Sequence, residues 1–410
     1  MRCKRIFAVL LSAALLAGCG GELGHITEET YRRAESFGGG LRDFLPEESS
    51  AESSPDPSSE GAESSAEESL PESSGPSVEE LRAAYYRSYL TAEQQKEYDA
   101  LLDALGNRES SARVGISSLE SITPVVRALY YDHPEFFWLE NGGTLTTVGG
   151  RSEYAFRTSA EPSELDGMQA EIDAAAEFFL SQVPPESTEC QKVRLVFEFL
   201  VDTVDYDSSG PHSGSIYGAL VERKARCEGY ARAAQYLLGE LGVFCTYITG
   251  TTLDGDSHGW NLVSIGGEYY HMDPTWGDPS FSGGSDPVPG YRNYAYLCAT
   301  TDEILLSRTI DETYAPVPSC TAQTHNYFAE NGLLLSSYPG EAAKILASYY
   351  RSGARFVPLR FADETAYRHA LDSLFSGQEI YTLLAEEGIT LDTVRYLSDD
   401  GFRTITILFS

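Results

Sequence analysis

Apolar positions recur at helical spacing through most of the first half of this chain, then give way to strand-like runs after about residue 205. Thr91 followed by Gln94 forms a capping box, which predicts a helix over 97–105 that stops at Gly106-Asn107. Helical spacing also covers 116–131, ending before His133-Pro134, then 164–183, stopped by Pro184-Pro185, and 193–204. Phe136-Phe137-Trp138-Leu139 reads as a buried segment, and 142–157 as a hairpin. Residues 227–241 place Ala231, Ala234, Leu237 and Leu238 on one helix face, with Gly242 as the stop. Strands are predicted over 243–251, 258–265 and 268–273, the last two joined by Gly266-Gly267, a two-residue hairpin signal. Short helices and strands continue to the end: 302–307 (helix), 356–361 (strand), 363–375 (helix), 381–387 (helix or strand), and a hairpin of 394–397 with 404–409.

Composition changes this picture at the N-terminus. The chain is 42% hydrophobic and 11% aromatic, enough for a packed core, which excludes global disorder. The segment 46–77 is rich in Ser, Glu and Pro and cannot bury enough apolar area to offset chain entropy, so 20–77 reads as a disordered tether. A net charge of −33 argues against nucleic acid as a partner, because phosphate backbones need Lys and Arg. Arg2, Lys4 and Arg5 precede an apolar run over 6–16, too short to span a bilayer. The run ends in Leu16-Ala17-Gly18-Cys19, which resembles a bacterial lipobox. That resemblance implies cleavage of 1–19 before Cys19, lipid on the Cys19 thiol, and a body held outside the cytoplasm on the bacterial cell membrane.

Five cysteines would remain in the mature body: Cys190, Cys227, Cys245, Cys298 and Cys320. An odd number leaves at least one thiol unpaired within a chain, a reason to look for a reactive one. Cys227 begins a predicted helix just after Lys224 and Arg226. Positive potential and free amides at a helix start favour thiolate and can hold an oxyanion. If Ile265 and Glu268 flank the hairpin turn, His258 falls opposite Thr275 and Asp273 opposite Trp260. His258 and Asp273 are then diagonal neighbours on one face. A histidine between a thiol and a carboxylate is the arrangement of nucleophilic catalysis. A zinc reading of Cys227, His258, His271 and Asp273 matches no standard ligand spacing, so neither metal nor cofactor is expected.

Gly218-Ala219-Leu220, Cys227-Glu228-Gly229-Tyr230-Ala231, His258-Gly259-Trp260-Asn261 and Tyr269 to Trp276 together resemble the core of the transglutaminase-like superfamily. The resemblance covers about 190–310. It implies an α+β fold with a papain-like core, a Cys-bearing helix packed on an antiparallel sheet. A mainly helical extension (78–189) would precede it and a small α/β domain (311–410) would follow. It places the nucleophile on Cys227, the base on His258 and the orienting acid on Asp273. Tyr206 and Tyr217 are candidate oxyanion donors, and Trp260 and Trp276 candidate cleft walls. The implied activity is attack on amide bonds through a thioester; a protein or peptide substrate, with the cell wall as one source, follows from the expected compartment rather than from the residues. Water as acceptor gives a protease or amidase, and a primary amine gives a transglutaminase. The rival reading is an envelope-binding scaffold with an idle triad.

Overall fold

The computed structural model describes residues 84–278 and 290–409. The expected leader, the expected lipidation site Cys19 and the expected tether fall outside the described residues. Helix α1 (Ala92–Gly106) begins at the Thr91/Gln94 capping box, and both reciprocal bonds form. Strand β1 (Ser111–Val114) and helix α2 (Leu119–Asp132) follow, then β2 (Leu139–Val148) and β3 (Arg151–Thr158). The hairpin turns at Gly149 and Gly150, both at positive φ, which glycine adopts at little cost. The sheet order is β1-β3-β2, all antiparallel. The extension is thus helices with a sheet rather than helices and a lone hairpin. Ser-Ala-Arg-Val in β1 alternates over only four residues, with Ala112 half-buried and Val114 buried, too short a run to stand out.

Helix α3 (Leu165–Leu180) precedes α4 (Glu189–Thr203). Helix α4 starts four residues before the first apolar position the periodicity marked. Thr188 and Gln191 form a second capping box, and such a cap contributes about 1 kcal/mol. Helix α4 buries Val193, Phe197, Leu200 and Val201 against the centre of the molecule. The short strands β4 (Asp205–Tyr206) and β5 (Lys224–Ala225) pair in parallel and lead into α5 (Cys227–Glu240).

Strands β6 (Cys245–Thr252), β7 (Ser257–Ile265) and β8 (Glu268–Met272) then form the central antiparallel sheet. After β8 come the single turn α6 (Pro274–Gly277), helix α7 (Thr301–Ile304) and β9 (Arg308–Ile310), which completes the order β8-β7-β6-β9. The last part of the chain holds α8 (Tyr327–Glu330), β10 (Leu334–Leu335), α9 (Ala342–Arg351), β11 (Phe356–Phe361), α10 (Glu364–Leu371), α11 (Glu379–Glu386), β12 (Val394–Asp399) and β13 (Thr404–Phe409). Its sheet runs β10-β11-β13-β12, with Val357, Leu359, Ile405 and Ile407 fully buried. The 381–387 segment, open between helix and strand by pattern, is helical.

Candidate active site

Cys227 is the first residue of α5, half-buried, behind an extended Arg226. Two things hold it there. The parallel bridge of Tyr206 to Ala225 fixes the approach of the chain, and the Ser213 carbonyl accepts from the Arg226 amide at 2.9 Å. A Cβ at Gly229 would press on that same Ser213 carbonyl at 2.5 Å, so the first turn of α5 needs glycine to lie this close to the loop. The first amides of the helix have no intrahelical acceptor, as at any helix start.

The 130–138 segment supports the same helix from below. Buried Arg232 donates to the Tyr130 carbonyl at 2.8 Å and lies 4.1 Å over the Tyr130 ring, while Gln235 donates to the Tyr131 carbonyl at 2.9 Å. The Tyr130 hydroxyl donates to Glu228 at 2.8 Å, and Glu228 also pairs with Arg226. The residue beside Cys227 is therefore anchored to a part of the chain about a hundred positions earlier.

His258 stands on β7 opposite Gly250 of β6, and Asp273 follows the last residue of β8. The β7–β8 register runs as the glycine turn predicts from Ile265↔Glu268 to Asn261↔Met272, then stops. Asp273 and Thr275 do not pair with Trp260 and His258. Instead the chain bends at Asp273-Pro274 into α6, and Asp273 caps that turn, its Oδ1 accepting from the Trp276 amide at 3.1 Å. The bend frees Oδ2 to meet His258 Nε2 at 2.8 Å. The Cys227 thiol also acts on the ring, as one of the interactions that raise the imidazole.

Arg308, at the start of β9, makes a fully buried ion pair with Asp273 Oδ2. Its guanidinium lies 4.2 Å from the Trp276 ring centre and 5.0 Å from that of Trp260. Sequence reasoning missed this residue, because Ser307-Arg308-Thr309-Ile310 carries no motif. A buried carboxylate beside a histidine does, however, call for a cation. Burial would raise the Asp273 carboxyl, but the charges of His258 and Arg308 hold it down at about 2. Burial would lower His258, but the Asp273 charge and the hydrogen bonds to Asp273 and Cys227 lift the imidazole to about 9. The ring is thus held as an imidazolium between sulfur and carboxylate.

Cys227 and His258 open on a cleft of about 630 Å³ lined also by Arg127, Arg226, Glu228, Tyr247 and Asp311. Trp260 and Trp276 are not among its walls. Trp260 is fully buried, nearly parallel to the His258 ring at 5.9 Å, and Trp276 lies 5.5 Å from the same ring. They back the histidine and leave the cleft to smaller groups. Burial, and then the charge of Cys227, raise the Tyr206 hydroxyl above its ordinary value, which keeps it as a candidate in the neighbourhood of the sulfur. Tyr217 is a correction: its hydroxyl donates to Glu171 at 2.6 Å and its ring stacks on Phe137. His271 is buried and neutral, lowered to about 3 by burial and then by Arg308. Its Nδ1 accepts from the Trp260 indole at 3.1 Å and Nε2 faces the Thr301 hydroxyl, so neither nitrogen is open to a metal in the cleft. The five cysteines of the described residues are free thiols.

Residues 177–274 match the family model of the transglutaminase-like superfamily. This segment is a transglutaminase-like domain. It contains Cys227, His258 and Asp273, while Arg308 lies beyond it. The chain is also similar to the human (Homo sapiens) kyphoscoliosis peptidase, 25% identical over 172 residues, 34% of this chain. It spans about a quarter of that relative, 26% of its length. Among solved structures, similarity extends to a TGase (14% identity, 33% of this chain and 44% of that one, TM-score 0.24). It extends also to the periplasmic domain of TgpA from Pseudomonas aeruginosa (16% identity, 32% and 56%, TM-score 0.21).

Close packing around the domain's histidine sets a further expectation. A Cβ at Gly259 would run into the ring and hydroxyl of Tyr247, a buried side chain at the edge of the cleft, so the ring or the strand must shift. Gly259→Ala is expected to cost about 1–3 kcal/mol of stability, read as a lower denaturation midpoint, and to displace His258. An unchanged midpoint with unchanged thiol reactivity would refute the contact.

Proposed function

We propose that this protein is a lipid-anchored, extracytoplasmic thiol hydrolase that cleaves amide bonds of proteins or peptides. The observation that carries the reading is the His258 ring lying between the Cys227 thiol and the Asp273 carboxylate at an open cleft. Cys227 sulfur attacks the amide carbonyl, and the oxyanion that forms is stabilised by amides at the start of α5 and by Tyr206. The His258 imidazolium gives its proton to the departing amine, leaving a thioester on Cys227. Neutral His258 then takes a proton from water as the water attacks the thioester, releasing a carboxylic acid and restoring the thiol. Asp273 holds the ring's orientation and stabilises its charged form. Water needs no dedicated acceptor groove, and the one curated relative named above is a peptidase by name. Placement at the membrane rests on the Leu16-Ala17-Gly18-Cys19 sequence.

Alkylation with iodoacetamide at neutral pH tests the thiol. Cys227 is expected to label well ahead of Cys245, Cys298 and Cys320, which are buried. Equal, slow labelling of all five would favour an envelope-binding scaffold with an idle triad. Mass spectrometry of Cys227 after incubation with envelope extract then tests the chemistry. The expected result is an acyl adduct that decays in water alone. Release only with an added primary amine would replace hydrolysis with amine transfer.

A further inference from the structure

On a surface separate from the cleft, three metal-ligating side chains meet from distant parts of the chain. Cys190 lies in the first turn of α4, His325 just before α8, and Glu330 at the end of α8. Their ligand atoms all fall within 4.8 Å of one another. Cys190 Sγ is 3.7 Å from Glu330 Oε1, and His325 Nδ1 is 3.0 Å from the same oxygen. With zinc–sulfur bonds of about 2.3 Å and zinc–nitrogen or zinc–oxygen bonds of about 2.0 Å, a tetrahedral ion sets its ligands roughly 3.3–3.5 Å apart. The two spacings to Glu330 lie on either side of that value, and the third, from Cys190 to His325, is within 4.8 Å. The Tyr270 ring, edge-on at 5.7 Å, walls the histidine on one side.

We propose that Cys190, His325 and Glu330 form a zinc-binding site. One thiolate, one imidazole and one carboxylate suit a borderline-soft divalent ion and would leave a fourth position for water. Binding releases the thiol proton, and the cation takes the place of the hydrogens these side chains share. The cluster is separate from the acyl chemistry, since none of its members lines the cleft. His325 and Glu330 also lie outside the segment that matches the superfamily. An ion here would clamp α4, which packs beside the Cys227 helix, to the segment leading into the last sheet.

Cobalt titration of the full-length protein, kept reduced with a phosphine, tests the site. The expected result is one equivalent bound, with a thiolate-to-cobalt charge-transfer band and visible bands of tetrahedral intensity, both displaced by zinc. Cys190→Ser should abolish the charge-transfer band. Glu330→Gln, on the exposed side, should weaken binding at least tenfold while the metal-free melting temperature stays put. Cys227→Ala should bind cobalt as the parent does. Absence of the band, its survival in Cys190→Ser, or its loss in Cys227→Ala would each overturn the proposal.

Discussion

Replacing Arg308 with methionine is expected to cost about 3–5 kcal/mol of stability, a fall in melting temperature of roughly 4–8 °C by calorimetry for a folded body of this size. The reason lies in what stays behind. Asp273 and Arg308 are both wholly buried, and their ion pair sits against the rings of Trp260 and Trp276. Exchanging both partners of such a pair for apolar groups can be neutral, but removing one strands the other charge in a poor solvent. Methionine fills a similar volume, so a cavity would not explain the loss. Lysine would not rescue it, because the flat guanidinium is what stacks on two indoles. A control comes from Arg87, whose pair with Asp99 is exposed on both sides (33% and 50%). Arg87→Met should cost less than about 1 kcal/mol. If the two variants melt together, the buried pair is not the keystone described above.

His258→Ala is expected to cut turnover of an amide substrate by roughly 10²–10⁴-fold and to slow alkylation of Cys227. Its pH behaviour identifies the cause. The folded imidazole titrates at about 9, so the proton donated to the leaving amine is present at neutral pH and is lost as pH rises through about 9. The parent should therefore show an alkaline limb near that pH, and the residual activity of the variant should lack it. Stability follows the same linkage. The raised histidine favours the fold fully below its ordinary value of about 6.5 and loses that contribution through about 9. The depressed Asp273 contributes above its ordinary value and loses that contribution only as pH falls through about 2. A parent profile flat from pH 7 to 10 would sink this assignment of the proton donor.

What could be read from residue order alone was whatever local chemistry encodes. Thr91 with Gln94, and Gly266-Gly267 with its strand register, follow from hydrogen bonds and backbone freedom within a few residues. The His258–Asp273 meeting was expected for nearly the right reason. Parity put both on one face, yet the ladder ends at Met272 and it is the turn at Pro274 that aims the carboxylate. Features fixed by distant partners were not legible. Arg308 is defined by a carboxylate 35 positions earlier, and Tyr217 by Glu171. Trp260 faces inward because His271 accepts from its indole, which no spacing rule reveals.

The support beneath Glu228 has a practical corollary. The neighbour of the reactive sulfur leans on Tyr130, and the acid behind the imidazole leans on Arg308, one upstream and one downstream of the matched stretch 177–274. Homology thus marks out less polypeptide than the physics requires. A fragment trimmed to the recognisable stretch would keep all three members of the sulfur, ring and acid relay yet lose the scaffolding on either flank. Its silence in an assay would say nothing about the parent chain.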